Sequence, residues 1–199
     1  MLASGVILSG GMSSRMAENK AFTLVGGQRI IDIILDKMRS CFEEILIVSN
    51  EPELYEGLGA TVVSDLIPGK GPLSGLHSGL FHATFPVILA VACDMPFVDM
   101  ALGKWMLRLL PGYDAVAPLV GGRFQPLFAA YSKSCLPIFE RCLRGEKLKI
   151  SRIYEEELNV RYLSEREVAA FGEPDIIFYN VNTRDKLLKA QEIARGVMR

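Results

Sequence analysis

The sequence feature that most constrains the fold is the run Val87–Ala92, VILAVA, in which every residue is apolar. A strand with one face in water alternates apolar and polar residues, whereas an unbroken apolar run is typical of a strand buried on both faces. Such a strand needs helices above and below its sheet, as in α/β proteins. The run therefore predicts a central strand of a parallel sheet.

The segments around this run alternate between short apolar stretches and stretches of helical period, which predicts an open, mostly parallel sheet with helices on both faces. Further strands are predicted at residues 3–8, 45–49, 61–64, 115–118, 125–131, 160–163 and 176–179. Helices are predicted at residues 29–42, 72–84, 99–110, 133–144, 151–157, 164–171 and 183–195.

Length and composition set the class of protein. A chain of 199 residues fits a single domain. Its net charge of -1 argues against nucleic acid or an anionic membrane as the main partner. No apolar stretch approaches the ~18 residues of a membrane helix, and the N-terminal residues do not resemble a signal peptide. Four cysteines without a CxxC pair predict reduced thiols and a cytoplasmic location.

In open α/β sheets, ligands bind at the carboxyl ends of the strands, so the residues after each strand carry the functional prediction. Gly10 and Gly11 follow the first strand and allow a tight turn that brings the backbone close to a ligand. Arg15 and Lys20 add two positive charges, which suit a triphosphate. A purely structural turn is the alternative explanation of the two glycines.

Two aspartates follow later strands. Asp65 begins a glycine-rich loop that leads into a helix, where it could hold a hydroxyl, a base edge or a metal, or merely cap a turn. Asp94 directly follows the VILAVA strand, where an unpartnered charge is costly. Since Mg²⁺ prefers one or two carboxylates plus substrate phosphates, Asp94 is the best candidate metal ligand. Asp99 is better placed than Asp94 to cap the next helix.

Late in the chain, Asn180 and Asn182 lie on either side of Val181, after the predicted strand at residues 176–179. Two amides at positions i and i+2 of an extended segment point the same way and could orient a phosphate–metal cluster. The alternative is an Asx-type turn before the last helix.

Taken together, these motifs resemble the molybdenum cofactor guanylyltransferases, the MobA family, over nearly the whole chain. The family's opening signature reads LSGGMSSRMAENK here, and its second signature reads DLIPGKGPLSG. Three shorter motifs follow in the family's order: CDMP, FQPLFAAY and NVNTR. Five motifs in order are specific for this superfamily of nucleotidyltransferases and less specific for the exact substrate.

The resemblance implies a Rossmann-like nucleotidyltransferase fold, with a nucleotide-binding half at residues 1–112 and an acceptor-binding half at residues 113–199. It implies a cytoplasmic enzyme that uses GTP, Mg²⁺ and the molybdenum–pterin cofactor, and that meets other cofactor-biosynthesis proteins and target apo-enzymes. The implied GTP-binding residues are Leu8, Ser9, Gly10, Gly11, Lys20, Asn50 and Asp65. The implied catalytic residues are Lys20, Arg15 and Asp94, with Asp94 also the metal ligand.

For the acceptor, the resemblance implies a pterin site near Asn180 and Asn182. Basic residues of the second half are further candidates to receive its phosphate: Arg141, Arg144, Lys147, Lys149 and Arg152.

Three positions depart from the family pattern: Ala17 replaces a glycine, Asn19 an aspartate and Arg184 a proline. Two alternatives to guanylyl transfer therefore stay open. One is a sister nucleotidyltransferase that uses CTP or another phosphate acceptor. The other is a non-catalytic protein that binds GTP or the cofactor for delivery.

Overall fold

The predicted central strand is the middle of the sheet in the structure, a computed structural model that describes residues 2–10 and 19–197. Every residue of Val87–Ala92 is buried, as its apolar sequence predicts. The strands of the described chain are β1 Ser4–Leu8, β2 Leu24–Val25, β3 Gln28–Arg29, β4 Glu44–Val48, β5 Thr61–Val63, β6 Val87–Ala92, β7 Ala115–Val120, β8 Arg123–Phe124, β9 Phe128–Ser132 and β10 Val160–Leu163.

The helices alternate with these strands in the first half of the chain and cluster near its end. Within the described residues, none is long and apolar enough to cross a membrane. They are α1 Ile30–Arg39, α2 Pro72–His82, α3 Met100–Leu109, α4 Leu136–Arg144, α5 Ile150–Glu156, α6 Glu165–Val168, α7 Pro174–Ile177 and α8 Arg184–Val197. Short 3₁₀ turns occur at Lys20–Phe22, Pro52–Tyr55 and Lys133–Cys135.

The main sheet has the strand order β10-β7-β9-β6-β1-β4-β5, with β8 paired to β7. Strand β1 is parallel to both neighbours, β4 and β6, and β5 is parallel to β4. Strand β9 is antiparallel to β6 and β7, while β10 is again parallel to β7. The predicted α/β class with a mostly parallel sheet is confirmed. The chain leaves β1 on one side through β4 and returns on the other through β6, which creates a topological switch point at β1.

The core lies in two layers because alternate residues of the buried strands face opposite helices. Ile7 of β1 faces the layer formed with α1, α3 and α8. Val6 and Leu8 face the layer formed with α2, α4 and α5. Strands β1 and β6 are therefore covered on both sides, which is why their sequences lack the alternation of a half-exposed strand.

The strand predicted at residues 176–179 is wrong: Pro174–Ile177 forms helix α7 instead. Proline is tolerated in the first turn of a helix, and a short apolar run does not by its period distinguish a strand from a buried helical turn. The interpretation of Asn180 and Asn182 as amides on the extension of a strand is wrong for the same reason.

The sequence analysis also missed the hairpin of β2 and β3. The division into two halves stays a prediction, and strands from both halves share one sheet.

Helix α2 approaches the sheet unusually closely, and two glycines permit the approach. A Cβ placed on Gly75 would lie 3.1 Å from Cδ2 of Leu8, and one on Gly79 would lie 2.6 Å from Cγ1 of Val6. The latter distance is below any normal contact, and Val6 is a stiff β-branched residue at the centre of the sheet. Close helix packing therefore explains both glycines.

We expect Gly79→Ala to destabilise the fold, because the added methyl group would force α2 away from β1. Overpacking typically lowers the free energy of unfolding by ~1–3 kcal/mol. The better helix propensity of alanine offsets up to ~1 kcal/mol of this loss. Gly196→Ala in α8 is a matched control, since no atom of the described residues lies within 4 Å of its Cβ position. Urea denaturation would measure both variants. A free energy of unfolding that is unchanged in Gly79→Ala and Gly196→Ala alike would contradict the packing argument.

Candidate active site

The predicted site residues lie along one edge of the sheet, at the carboxyl ends of the four adjacent parallel strands β6, β1, β4 and β5. Ser9 and Gly10 follow β1, and Asn50 lies two residues beyond β4. Asp65 lies two residues beyond β5, and Asp94 two residues beyond β6. The fold thus brings together residues that are up to 85 positions apart in the chain.

Backbone hydrogen bonds extend the sheet just past these strand ends and hold the site loops in register. The Ser9 amide donates to the Val48 carbonyl at 2.9 Å, and the Cys93 amide donates to the Leu8 carbonyl at 3.0 Å. Leu8 itself is buried, with its side chain packed in the core. Its predicted contact with a nucleotide would therefore involve its backbone.

Gly10 is exposed, and no heavy atom of the described residues lies within 4 Å of the position that its Cβ would occupy. Within the described part of the chain, the backbone just after β1 therefore has space beside it, as close approach to a ligand requires. Gly11 and Arg15, which the sequence analysis assigned to nucleotide binding and catalysis, lie outside the described residues.

Asn50 and Asp65 form a reciprocal pair across β4 and β5. The Asn50 side-chain amide donates to Asp65 Oδ2 at 2.9 Å, and the Asp65 backbone amide donates to Asn50 Oδ1 at 3.0 Å. Burial raises the pKa of Asp65, and the hydrogen bond from Asn50 opposes that shift. Asn50 is exposed, so the pair offers a rigid polar surface at this edge.

The loop from Asp65 into α2 is anchored by two serines of that helix. Ser78 Oγ accepts a hydrogen bond from the Leu66 amide at 2.8 Å, and Ser74 Oγ donates to the Ile67 carbonyl at 2.6 Å. Gly71, with φ of 67°, makes the last turn before the helix in a conformation that favours glycine. Helix α2 therefore begins at the same edge of the sheet as the site residues.

Lys20 and Asp94 face each other with Lys20 Nζ 4.0 Å from Asp94 Oδ2. Burial raises the pKa of Asp94, and the nearby positive charge of Lys20 lowers it. Both side chains keep some contact with solvent, at 28% and 18% exposure. They therefore form a loose ion pair that a polyphosphate or a cation can enter, rather than a sealed structural salt bridge.

The C-terminal segment is joined directly to this pair. The Val181 amide donates to the Asp94 carbonyl at 2.8 Å, and the Val181 side chain is fully buried. Asn180 and Asn182 are thereby held beside Asp94, each partly exposed. The Asn180 amide donates to the Phe178 carbonyl at 3.0 Å, so it is partly engaged in local structure.

Three residues that support the site were missed in the sequence analysis. Lys37 of α1 donates to the Pro96 and Val98 carbonyls at 2.8 and 3.0 Å and holds the loop that follows Asp94. Lys186 of α8 lies close enough for its charge to lower the pKa of Asp94. Tyr55 shares a side-chain hydrogen bond with Ser9 at the end of β1. No local pattern identifies any of them, because each acts on a segment distant in sequence.

The five basic residues proposed for the acceptor phosphate separate into two groups. Arg141, Arg144 and Lys147 form ion pairs with Glu157 or Glu140. Lys149 and Arg152 pair with no carboxylate of the described chain. They line a cleft of about 600 Å³, together with residues of the β7–β8 hairpin and the start of α2: Pro72, Gly122, Arg123 and Phe124.

The donor set fits a Mg²⁺ ion only in company with substrate phosphates. Across residues 2–10 and 19–197, no three His, Cys, Asp or Glu side chains converge as a closed metal site. Asp94 offers one carboxylate at the open edge, which matches the way Mg²⁺ binds through one or two carboxylates and phosphate oxygens. Its raised pKa also shows that a neighbouring cation would relieve the cost of its burial.

The sequence is similar to known nucleotidyltransferases over nearly its whole length. A family model described as "MobA-like NTP transferase domain" matches residues 5–160. A "probable molybdenum cofactor guanylyltransferase" of Pelotomaculum thermopropionicum is 42% identical over 194 residues, which cover 98% of this chain and 94% of that protein. The molybdenum cofactor guanylyltransferase of Desulfosudis oleivorans is 36% identical over 191 residues, 94% of each chain.

Solved structures of nucleotidyltransferases have a similar fold. The crystal structure of molybdopterin-guanine dinucleotide biosynthesis protein A from Archaeoglobus fulgidus superposes with a TM-score of 0.84 at 29% identity and covers 97% of this chain and 99% of its own. A cytidylyltransferase from Thermus thermophilus, which acts on 2-C-methyl-D-erythritol 4-phosphate, has a TM-score of 0.71 at 19% identity, covers 98% of this chain and 100% of its own, and shares the fold alone. Because the family model spans most of the chain and the relatives align over nearly all of it, the chain belongs to the family of MobA-like NTP transferase domains.

Proposed function

We propose that this protein transfers GMP from GTP to the terminal phosphate of the molybdenum–pterin cofactor, with release of pyrophosphate. The observation that carries the proposal is the meeting of Lys20, Asp94 and the segment around Val181 at the carboxyl ends of the central strands. The names of the relatives support guanylyl transfer to this cofactor.

The nucleotide is proposed to lie across the ends of β1, β4 and β5. The open space at Gly10 admits the phosphates, and Asn50 with Asp65 presents polar groups to the base and ribose. Lys20 offsets the charge of the triphosphate from the side of Asp94. Arg15 and Gly11 stay in the proposal as phosphate-binding residues on the strength of the sequence motif alone.

The reaction needs little proton transfer from the protein. The attacking group is a phosphate that is already ionised at neutral pH, so no general base is required. The α-phosphorus–oxygen bond to pyrophosphate breaks as the bond to the acceptor oxygen forms. The protein's residues therefore contribute positioning and charge neutralisation, which are the main terms in phosphoryl and nucleotidyl transfer.

Asp94 is the residue proposed to hold Mg²⁺ through its carboxylate, beside the substrate phosphates. When bound there, Mg²⁺ would neutralise charge on the reacting phosphates. Asp94 is kept in place from both sides, by Lys37 on the following loop and by Val181 on its carbonyl.

The acceptor is proposed to approach from the second half of the chain. Asn180 and Asn182 lie beside Asp94. The cleft lined by Lys149, Arg152 and Arg123 offers three cations that form no ion pair within the described residues, and Glu155 also lines it. Arg141, Arg144 and Lys147 are weaker candidates because Glu140 and Glu157 already neutralise them. The four free cysteines support a reducing location, and we propose the cytoplasm, where other cofactor-biosynthesis proteins and the target apo-enzymes would be met.

We expect acceptor-dependent release of pyrophosphate from GTP and Mg²⁺, and none from CTP. The test measures pyrophosphate with each nucleotide, with and without cofactor-loaded acceptor, beside thermal-shift titrations of the four nucleoside triphosphates. Release from CTP alone would replace GTP by CTP in the proposal. GTP binding without release in the presence of acceptor would favour the non-catalytic carrier.

Asp94→Ala and Lys20→Ala should each remove at least ~2 kcal/mol of transition-state stabilisation, the scale of one lost electrostatic contact in an active site. This corresponds to a fall of about thirtyfold in kcat/KM. Asp36→Ala is a matched control, because Asp36 is exposed on α1 and paired only with Arg39 among the described residues. Near-normal turnover of Asp94→Ala would overturn its role as metal ligand.

Arg152→Ala should raise the KM for the acceptor about tenfold and leave the KM for GTP unchanged, because a charge-assisted contact to phosphate is worth ~1.5–3 kcal/mol and Arg152 borders solvent. Arg108→Ala, on the exposed side of α3, is the control for loss of a surface arginine. Steady-state kinetics with each substrate varied would separate the two constants. An equal rise in both KM values would argue against an acceptor site in this cleft.

A further inference from the structure

A buried hydroxyl connects the end of β1 to the segment that carries Lys20. Tyr55 ends the 3₁₀ turn Pro52–Tyr55 that follows β4, and its side chain is 1% exposed. Its phenol oxygen meets Ser9 Oγ at the end of β1 and the Asn19 side-chain amide at 3.0 Å. Burial raises the pKa of Tyr55, so the phenol stays neutral and keeps its proton for a hydrogen bond.

The Asn19 side chain has a defined place in this network. The Asn19 side-chain nitrogen can only donate, so the Tyr55 oxygen accepts from it and shares a second hydrogen bond with Ser9. The Asn19 side-chain oxygen accepts from the Ala21 amide at 3.1 Å and caps the 3₁₀ turn Lys20–Phe22. Lys20 is the first residue of that turn, so the cap formed by Asn19 positions the backbone of Lys20.

Glu51 explains why an amide suits position 19. The Asn19 side-chain nitrogen also lies 3.4 Å from Glu51 Oε2 and donates to it. An aspartate at position 19 could still accept from the Ala21 amide and from the Tyr55 hydroxyl, because Ser9 could become the donor to Tyr55. It would, however, place a second carboxylate against Glu51, and like charges at this distance repel each other.

We propose that Tyr55 is a positioning residue, which sets Lys20 relative to the end of β1 through Asn19 and Ser9, and that Asn19 is matched to Glu51. On this view, the asparagine that replaces the family's aspartate at position 19 suits the neighbouring Glu51 and is not the loss of a catalytic charge. The effect on turnover rests on the proposed function, whereas the network itself does not.

The network is tested without any substrate by amide hydrogen exchange. Tyr55→Phe removes only the hydroxyl and should free the Asn19 side chain, so the Ala21 amide should exchange several-fold faster than in the unaltered protein. Tyr113→Phe is the matched control, since Tyr113 is exposed and lies in the turn before β7. Unchanged exchange at Ala21 in Tyr55→Phe would overturn the positioning role.

The match between positions 19 and 51 is tested by a double-mutant cycle in urea. Asn19→Asp should lower the unfolding midpoint by about 0.3 M, the size expected for an exposed like-charge pair at ordinary urea m-values. Glu51→Gln should be nearly neutral alone and should restore the midpoint in the double variant. An equal loss in Asn19→Asp with either residue at position 51 would show that the two are not matched.

The consequence for turnover is tested by combining Tyr55→Phe with Lys20→Met. Tyr55→Phe should reduce kcat/KM for GTP by about fivefold to tenfold, the range for one hydrogen bond. In the Tyr55→Phe background, Lys20→Met should then reduce kcat/KM by a smaller factor than in the unaltered protein, because a misplaced lysine already contributes less to the reaction. A merely structural tyrosine would give independent, multiplicative losses, and that result would overturn the positioning role.

Failure of the proposed function gives a different result. An unaltered protein that releases no pyrophosphate from GTP, yet shows faster exchange at Ala21 in Tyr55→Phe and recovery in the urea cycle, would contradict guanylyl transfer and leave the network established.

Discussion

Burial of β1 and β6 on both faces is the constraint on which the rest of this structure depends. Their interior residues pack against a helix layer on each side, so these strands carry almost no polar side chain that could act on a ligand. Polar chemistry is confined to the residues where the strands end. The close approach of α2 at Gly79 shuts one face of the sheet and brings the start of that helix to the same edge. Packing thereby determines where the site is, before any catalytic residue is considered.

The electrostatics of that edge follow from its incomplete burial. Asp94 is buried enough for its pKa to rise, and Lys20 opposes the rise from 4.0 Å without closing the site. Desolvation and the attraction of Lys20 therefore act on the charge of Asp94 in opposite directions. A polyphosphate that brings its own cation can separate the two charges and give each a new partner. This is the physical basis for assigning phosphate chemistry to the site.

The site also depends on contacts between distant parts of the chain. The Val181 amide on the Asp94 carbonyl joins the C-terminal segment to the central strand, and Tyr55 joins the turn after β4 to the end of β1. Asn19 illustrates the consequence. Judged against the family pattern alone it is a missing charge, but in the structure its side chain donates hydrogen bonds to Tyr55 and to Glu51.

The sequence by itself determined the class of fold and which residues reach the edge, because apolar runs mark buried strands and polar groups after them must lie at strand ends. This pattern predicted Gly10, Asp65 and Asp94 at that edge, the family resemblance added Ser9 and Asn50, and the structure brings all five there. Only the tertiary structure decided that residues 174–177 form a helix, since a short apolar run suits either conformation. It also decided the roles of Lys37, Tyr55 and Glu51, because their partners are set by long-range packing that no local pattern records.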